Sequence, residues 1–202
     1  MNRKTHFSLF KMLLIFIILS LNLNAISTNF LIENKEKLSI INKIKDINGK
    51  TYSLKNKICV FVFIDIECPI SQFYTKTLQN IYLKYAKREI VFFAVFQTKY
   101  ISVEEIKSFN KKYNLTIPSV LDKYQHITKQ LNARITPEVF VLNQKNEIVY
   151  SGCIDDSFFA VGKRNINPKN FYLEQTLDLI LKNKNLLKSH IEAIGCEIQR
   201  IP

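Results

Sequence analysis

Four residues of this 202-residue chain could do thiol chemistry: Cys59, Cys68, Cys153 and Cys196. Cys68 stands apart because of its setting, the stretch DIECPIS at residues 65–71. A nearly unbroken apolar run, residues 58–65, leads into it, and a helical pattern leads out. A thiol at such a strand-to-helix junction meets unpaired amide N–H groups and the positive end of the helix. Both favour the thiolate, and the thiolate is the nucleophile. The chemistry this suggests is attack on a disulfide or a peroxide. Asp65 and Glu67 work against it, because nearby negative charge favours the neutral thiol, so moderate activation is expected. Ser71 stands three residues on, where a second cysteine would complete C-x-x-C. Its hydroxyl can donate to a thiolate but cannot attack a mixed disulfide. Cys68 must then be resolved by another thiol, of this chain or external, or act on a substrate that needs no internal resolver.

The elements that must position Cys68 follow from apolar periodicity. Residues 41–54 read as a hairpin around Asn48-Gly49. Residues 58–65 read as a central strand buried on both faces. Pro69 suits the first position of a helix, which Ile70, Phe73, Thr77, Leu78, Ile81 and Tyr85 continue at helical spacing. Residues 89–96 form a second buried strand, and Ser102 with Glu105 opens a helix to about Tyr113 as a capping box. A short extended piece at 117–122 and a short helix at 124–131 follow. Pro137 opens a strand to Leu142, and Glu147 begins its returning partner after a polar turn. Residues 153–167 read as an irregular loop, and a last helix begins at Asn167. This alternation predicts one small α/β domain.

From about residue 41 to 181 the chain resembles the redoxin family, which spans the alkyl hydroperoxide reductase and thiol-specific antioxidant proteins and thioredoxin-like proteins of bacterial envelopes. Three pieces carry the resemblance: VFVFIDIECPIS (60–71), ARITPEVFVLNQKNEIVYSG (133–152), and CIDDSF at 153–158 with the last helix and the Gly195-Cys196 tail. The third looks like an exported subgroup with one active-site cysteine in a C-P-x-S motif. The resemblance implies a thioredoxin-like fold, a central mixed β-sheet flanked by helices. It also implies a cis peptide bond before Pro137 that faces Cys68, with Thr136 exposing backbone groups to an extended substrate. Pro69 and Ser71 would line the same site, and Arg134 could supply positive charge to the thiolate or equally be solvated. There are departures. Asp65 and Phe61 stand where peroxiredoxins want Thr and Pro, and Val62 stands where thioredoxins keep a buried carboxylate. Disulfide exchange is therefore favoured over peroxide reduction.

Two thiols of the chain compete to resolve Cys68. Cys196 lies in a tail after the last helix, next to Gly195, and a flexible tail can reach the site; it is the first candidate. Cys153 ends the returning strand at the same end of the sheet. One strand intervenes, so it lies about two strand spacings, roughly 10 Å, away. A disulfide needs Cα atoms within about 7 Å, so Cys153 would need its loop to move. A Cys153–Cys196 bridge pinning the tail is the alternative. Cys59 begins the strand that Cys68 follows, and reads as a buried apolar cysteine at the far end.

The rest of the sequence bounds the function. Arg3, Lys4 and Lys11, the apolar run 12–23 and Leu23-Asn24-Ala25 read as a signal peptide over residues 1–25. An uncleaved membrane anchor through 12–23 is the alternative, although a comfortable span needs about 20 residues. Residues 26–40 read as a linker, 41–185 as the redoxin domain and 186–202 as the tail. The expected location is the periplasm or cell envelope, where disulfides persist. Of the net charge of +12, residues 1–25 carry three basic and no acidic groups; 26 basic and 17 acidic residues remain, or +9. The lysines are scattered with no basic stripe, which argues against a nucleic-acid partner. His126 and His190, the histidines beyond residue 25, match no zinc spacing with the cysteines, and Gln72 breaks the C-x-x-x-C pattern of copper carriers. No metal or cofactor is expected. The expected partners are a disulfide-containing protein or a peroxide as substrate, and an external thiol as reductant. A non-catalytic binding module on the same fold is the alternative.

Overall fold

The computed structural model describes residues 42–182 and 188–201. The expected signal peptide (1–25), the linker (26–40) and the boundary at 185/186 lie outside these residues. Among the described residues no helix is long and apolar enough to cross a membrane.

A hairpin of β1 (Lys43–Lys45) and β2 (Thr51–Ser53) comes first. Asp46 closes its turn by accepting from the amides of Asn48 and Lys50, each at 2.9 Å. The main sheet is built from β3 (Ile58–Phe63), β4 (Ile90–Phe96), β5 (Ser119–Leu121), β7 (Glu138–Leu142), β8 (Ile148–Gly152) and β11 (Ser189–Ile191). Its order is β11-β8-β7-β3-β4-β5. β3, β4 and β5 run parallel, β7 runs antiparallel to β3 and β8, and β11 is parallel to β8. The sheet is thus mixed, with β3 near its centre. The two-residue β6 (Ile135–Thr136) precedes β7.

Every residue of β3 is buried, and the period of two sends them to opposite faces. Val60, Val62 and Ile64 join a core with Leu78, Ile81 and Tyr85 of α1 (Pro69–Tyr85), Ile106 of α2 (Val103–Tyr113), and Leu173 and Leu177 of α4 (Tyr172–Leu181). Cys59, Phe61 and Phe63 join a second core with Ile44, Leu54, Ile198 and Leu131 of α3 (His126–Leu131). Burying each such aromatic or aliphatic side chain is worth roughly 1.5–3 kcal/mol. Two layers therefore clamp the strand that presents Cys68. The capping box at α2 is present: Ser102 Oγ accepts from the Glu105 amide, and Glu105 accepts from the Ser102 amide.

Three expectations from sequence need correction. The last helix begins at Tyr172, not Asn167. The amides of Lys169 and Asn170 are held by the Asp156 carboxylate, so the chain there is committed to a loop. The supposed irregular loop contains a small hairpin, β9 (Phe158–Ala160) with β10 (Lys163–Arg164). The tail is not a loose arm. β11 extends the main sheet, and β12 (Cys196–Glu197) pairs antiparallel with β6.

Two glycines permit that tail. Gly152 has φ of +125°, and a Cβ there would lie 1.6 Å from the Ile191 carbonyl oxygen. A Cβ on Gly195 would lie 2.0 Å from the Thr136 carbonyl oxygen. Any side chain at either position would collide with backbone.

Candidate functional site

Cys68 is the N-cap of α1, with Pro69 in the first turn. Its extended φ and ψ of −76° and 114° turn the side chain back over the helix end, where Sγ accepts from the Ser71 amide at 3.5 Å. The sulfur thus takes the position a serine or aspartate oxygen normally holds, among unpaired N–H groups. Ser71 is fully buried; its Oγ accepts from the Asp65 amide at 3.4 Å, and its hydroxyl serves the Cys68 sulfur.

The Thr136–Pro137 peptide bond is cis, and Thr136 lies against Cys68. As a thiol, Cys68 donates to the Thr136 carbonyl at 3.1 Å. The loop holding Thr136 is braced by Glu138, whose carboxylate accepts from the amides of Arg134 and Ile135 at 2.7 and 3.2 Å.

β12 completes the site. Cys196 is the register partner of Thr136, and Glu197 that of Ile135. Thr136 Oγ1 donates to the Cys196 carbonyl at 3.3 Å, and the Ile198 amide donates to the Arg134 carbonyl at 2.8 Å. Cys196 is near enough to Cys68 for each thiol to shift the acidity of the other, and both are free thiols here. Cys68 is 2% exposed, whereas Cys196 is half-buried.

The two thiols are driven apart in acidity. Burial pushes Cys68 up, but donation from Cys196, from the Ser71 amide and from the Ser71 and Thr136 hydroxyls outweighs it, and the thiol falls below its ordinary value. Cys196 is pushed up to about 12 by burial, by its hydrogen bond to Cys68 and by the negative charges of Cys68 and Asp65. The pair therefore favours a Cys68 thiolate held by a protonated Cys196. The negative charge of Asp65 also bears on Cys196. The Asp65 carboxylate is engaged by the Glu67 amide at 2.8 Å.

The remaining candidates are dispersed. Arg134 is exposed, and its side chain lines a separate depression with Glu138, Glu192 and Glu197; what reaches the site is its backbone. Cys153 is half-buried after β8 and bonds through its amide to Ile191 at 3.0 Å. Burial, offset in part by Tyr150 and its own amide and reinforced by Asp155 and Asp156, pushes its thiol up to about 11. Asp155 is buried under Tyr74, which donates to it at 2.6 Å, and also accepts from the Ser157 amide at 2.8 Å. Cys59 is fully buried at the far end of β3, and burial raises it to about 12. Among the described residues no three His, Cys, Asp or Glu side chains group to hold a metal ion.

Sequence reasoning missed that Thr136 is already paired, and the pairing of β12. The one signal was Gly195 before Cys196, a residue without a side chain where two backbones must meet.

Residues 29–151 match the profile of the AhpC/TSA family. No curated protein matches the chain. An uncharacterized conserved protein from Geobacillus kaustophilus is 22% identical with a TM-score of 0.66, over 79% of this chain and 88% of that one. A hypothetical protein from Sinorhizobium meliloti is 22% identical with a TM-score of 0.65, over 79% and 90%. StoA from Bacillus subtilis is 23% identical with a TM-score of 0.51, over 68% and 94%. The fold they share with this chain is thioredoxin-like.

Proposed function

The chain belongs to the AhpC/TSA family, and on that premise we propose that it is a thiol oxidoreductase with Cys68 as nucleophile and Cys196 as resolving thiol. One observation carries the reading: the Cys68 sulfur caps α1 and takes the Ser71 amide, and β12 sets Cys196 opposite Thr136, the residue whose carbonyl Cys68 contacts. The first supplies a reactive thiolate, and the second supplies a neighbour able to close a disulfide.

The reaction runs in two steps. With a disulfide substrate, the Cys68 thiolate attacks one sulfur and the other leaves as a thiolate, giving a mixed disulfide. With a peroxide, Cys68 takes the proximal oxygen as a sulfenic acid and an alcohol or water leaves. Cys196, losing its proton, then attacks the Cys68 sulfur and displaces the thiol or water. The product is a Cys68–Cys196 disulfide, which an external thiol reduces. Disulfide exchange is the favoured substrate chemistry, because Asp65 and Phe61 replace the peroxiredoxin Thr and Pro. Cys153 is the second choice of resolver, and Thr136, Pro137, Pro69, Ser71 and the Arg134 backbone shape the site. We place the protein in the periplasm or cell envelope, with residues 1–25 as its signal peptide, 26–40 as a linker and 41–185 as the working domain.

The test is to oxidise the chain and map its non-reduced peptides by mass spectrometry. A Cys68–Cys196 link is expected, together with alkylation of Cys68 at lower pH than an ordinary thiol. Cys68 linked to Cys59 or to nothing, with unactivated alkylation and no turnover, would favour a binding module instead.

A further inference from the structure

An edge that pairs with an extended substrate must offer unpaired backbone. Here the edge of β6 is already taken. Cys196 and Glu197 pair with Thr136 and Ile135, and the Ile198 amide bonds to Arg134. The segment continues in place beyond the pair. Ile198 is 8% exposed in the second core, and Arg200 donates to the Ala133 carbonyl at 2.8 Å. Gln125 donates to the Gln199 carbonyl at 2.6 Å and accepts from the Ile201 amide at 3.1 Å. Gly195 has no room for a side chain above Thr136. Residues 196–201 thus lie where a client strand would lie, with Cys196 paired to Thr136.

We infer that the exchange partner of this site is a low-molecular-weight thiol–disulfide couple rather than an extended polypeptide, and that its thiol reduces the oxidised site by attack at Cys196. This rests on Cys68 and Cys196 being the working pair. Of the two sulfurs, Cys196 is the one presented to solvent. From Glu197, the residue after Cys196, a depression of about 280 Å³ opens between residues 65–67, 97–101 and 197–201. That is just under the roughly 300–1,000 Å³ of sites for drug-sized ligands, a space for a small molecule and not for a polypeptide.

The chemistry balances as follows. A small thiolate attacks Cys196 Sγ in the Cys68–Cys196 disulfide. The S–S bond breaks with its electron pair going to Cys68 Sγ, giving a mixed disulfide on Cys196 and a Cys68 thiolate. A second small thiolate attacks the small-molecule sulfur and releases Cys196, which takes a proton. The chain is reduced by two electrons, and two small thiols become one small disulfide. Cys68 is the more acidic of the two thiols and so the better leaving group, which favours this direction of cleavage.

The test uses the full chain with reduced glutathione as the small thiol and insulin as the polypeptide disulfide. Glutathione added briefly to the oxidised chain should be found on Cys196, by mass spectrometry. Gly195→Val, and the milder Ile198→Ser, unseat the strand, and circular dichroism identifies which of them keeps the fold. Insulin reduction relative to glutathione exchange should rise at least about tenfold in the folded variant, the change two lost backbone hydrogen bonds imply. Insulin reduced as readily by the unaltered chain, or glutathione found on Cys68, would overturn the inference. A Cys68→Ser chain that exchanges as fast as the original would instead bring down the underlying pair.

Discussion

Cys68 and Cys153 stand at the same end of one sheet, yet their thiols are pushed in opposite directions. Both are substantially buried, and burial alone raises a thiol. The difference is what faces the sulfur. Cys68 sits on a helix N-terminus, with donors from Ser71 and Cys196. Cys153 ends a strand, with Asp155 and Asp156 near it and its neighbour Tyr150 bonded to its carbonyl. Position at the end of the sheet is thus not sufficient for reactivity; hydrogen-bond donors aimed at the sulfur decide it.

The sharpest way to break this contrast is substitution. Cys68→Ser should cut turnover of a small disulfide on the order of a thousandfold or more, as loss of a nucleophile does. Cys153→Ser should leave it within about twofold, the scale of an uninvolved thiol. Comparable losses in steady-state assays would erase the distinction. The same contrast appears in alkylation against pH, followed peptide by peptide. The thiolate is the reacting form, so each rate rises with pH and levels off above its own midpoint. Cys153 should level off near pH 11, and Cys68 below an ordinary thiol. At neutral pH the Cys153 thiolate is then about a hundredfold scarcer than an ordinary one. Cys196→Ala removes one donor and should move the Cys68 midpoint up.

Two smaller effects concern stability. Tyr74→Phe leaves the buried Asp155 carboxylate with one donor fewer and should cost about 1–3 kcal/mol in urea unfolding. It should leave the Cys68 midpoint where it is, because Tyr74 serves the Cys153 region. Cys59 should add a slight slope with pH. Its folded value is raised from 9.0 to about 12, so its contribution is complete below 9 and fades as pH rises through 12. Cys59→Ala should lose that part of the slope, at a cost of about 1 kcal/mol for the missing sulfur.

Much of this was legible in the residues themselves. An all-apolar β-branched and aromatic run announces a strand buried on both faces, and Cys68-Pro69 announces the helix that follows. The sheet's mixed character came from the family resemblance, and the antiparallel β7–β8 pair agrees with it. What escaped was set by contacts distant in sequence. β12 is two residues long and has no alternation to recognise, and it forms because Gly195 lets it reach Thr136. The start of α4 moved because the Asp156 side chain claimed the amides before it. Proximity in sequence pointed Asp65 at Cys68 alone, whereas the fold also brings its charge to bear on Cys196.

The pairing of β12 with β6 also bears on how the molecule comes into being. Ribosomes deliver the chain from its N-terminus, and domains begin to order in that direction. Cys68 and the strands around it emerge long before Cys196 does. Until residues 196–198 arrive, the nascent protein carries an uncovered β6 edge and Cys68 without its neighbour. Termination between α4 and β12 would leave that edge open for good, free to pair with another extended chain.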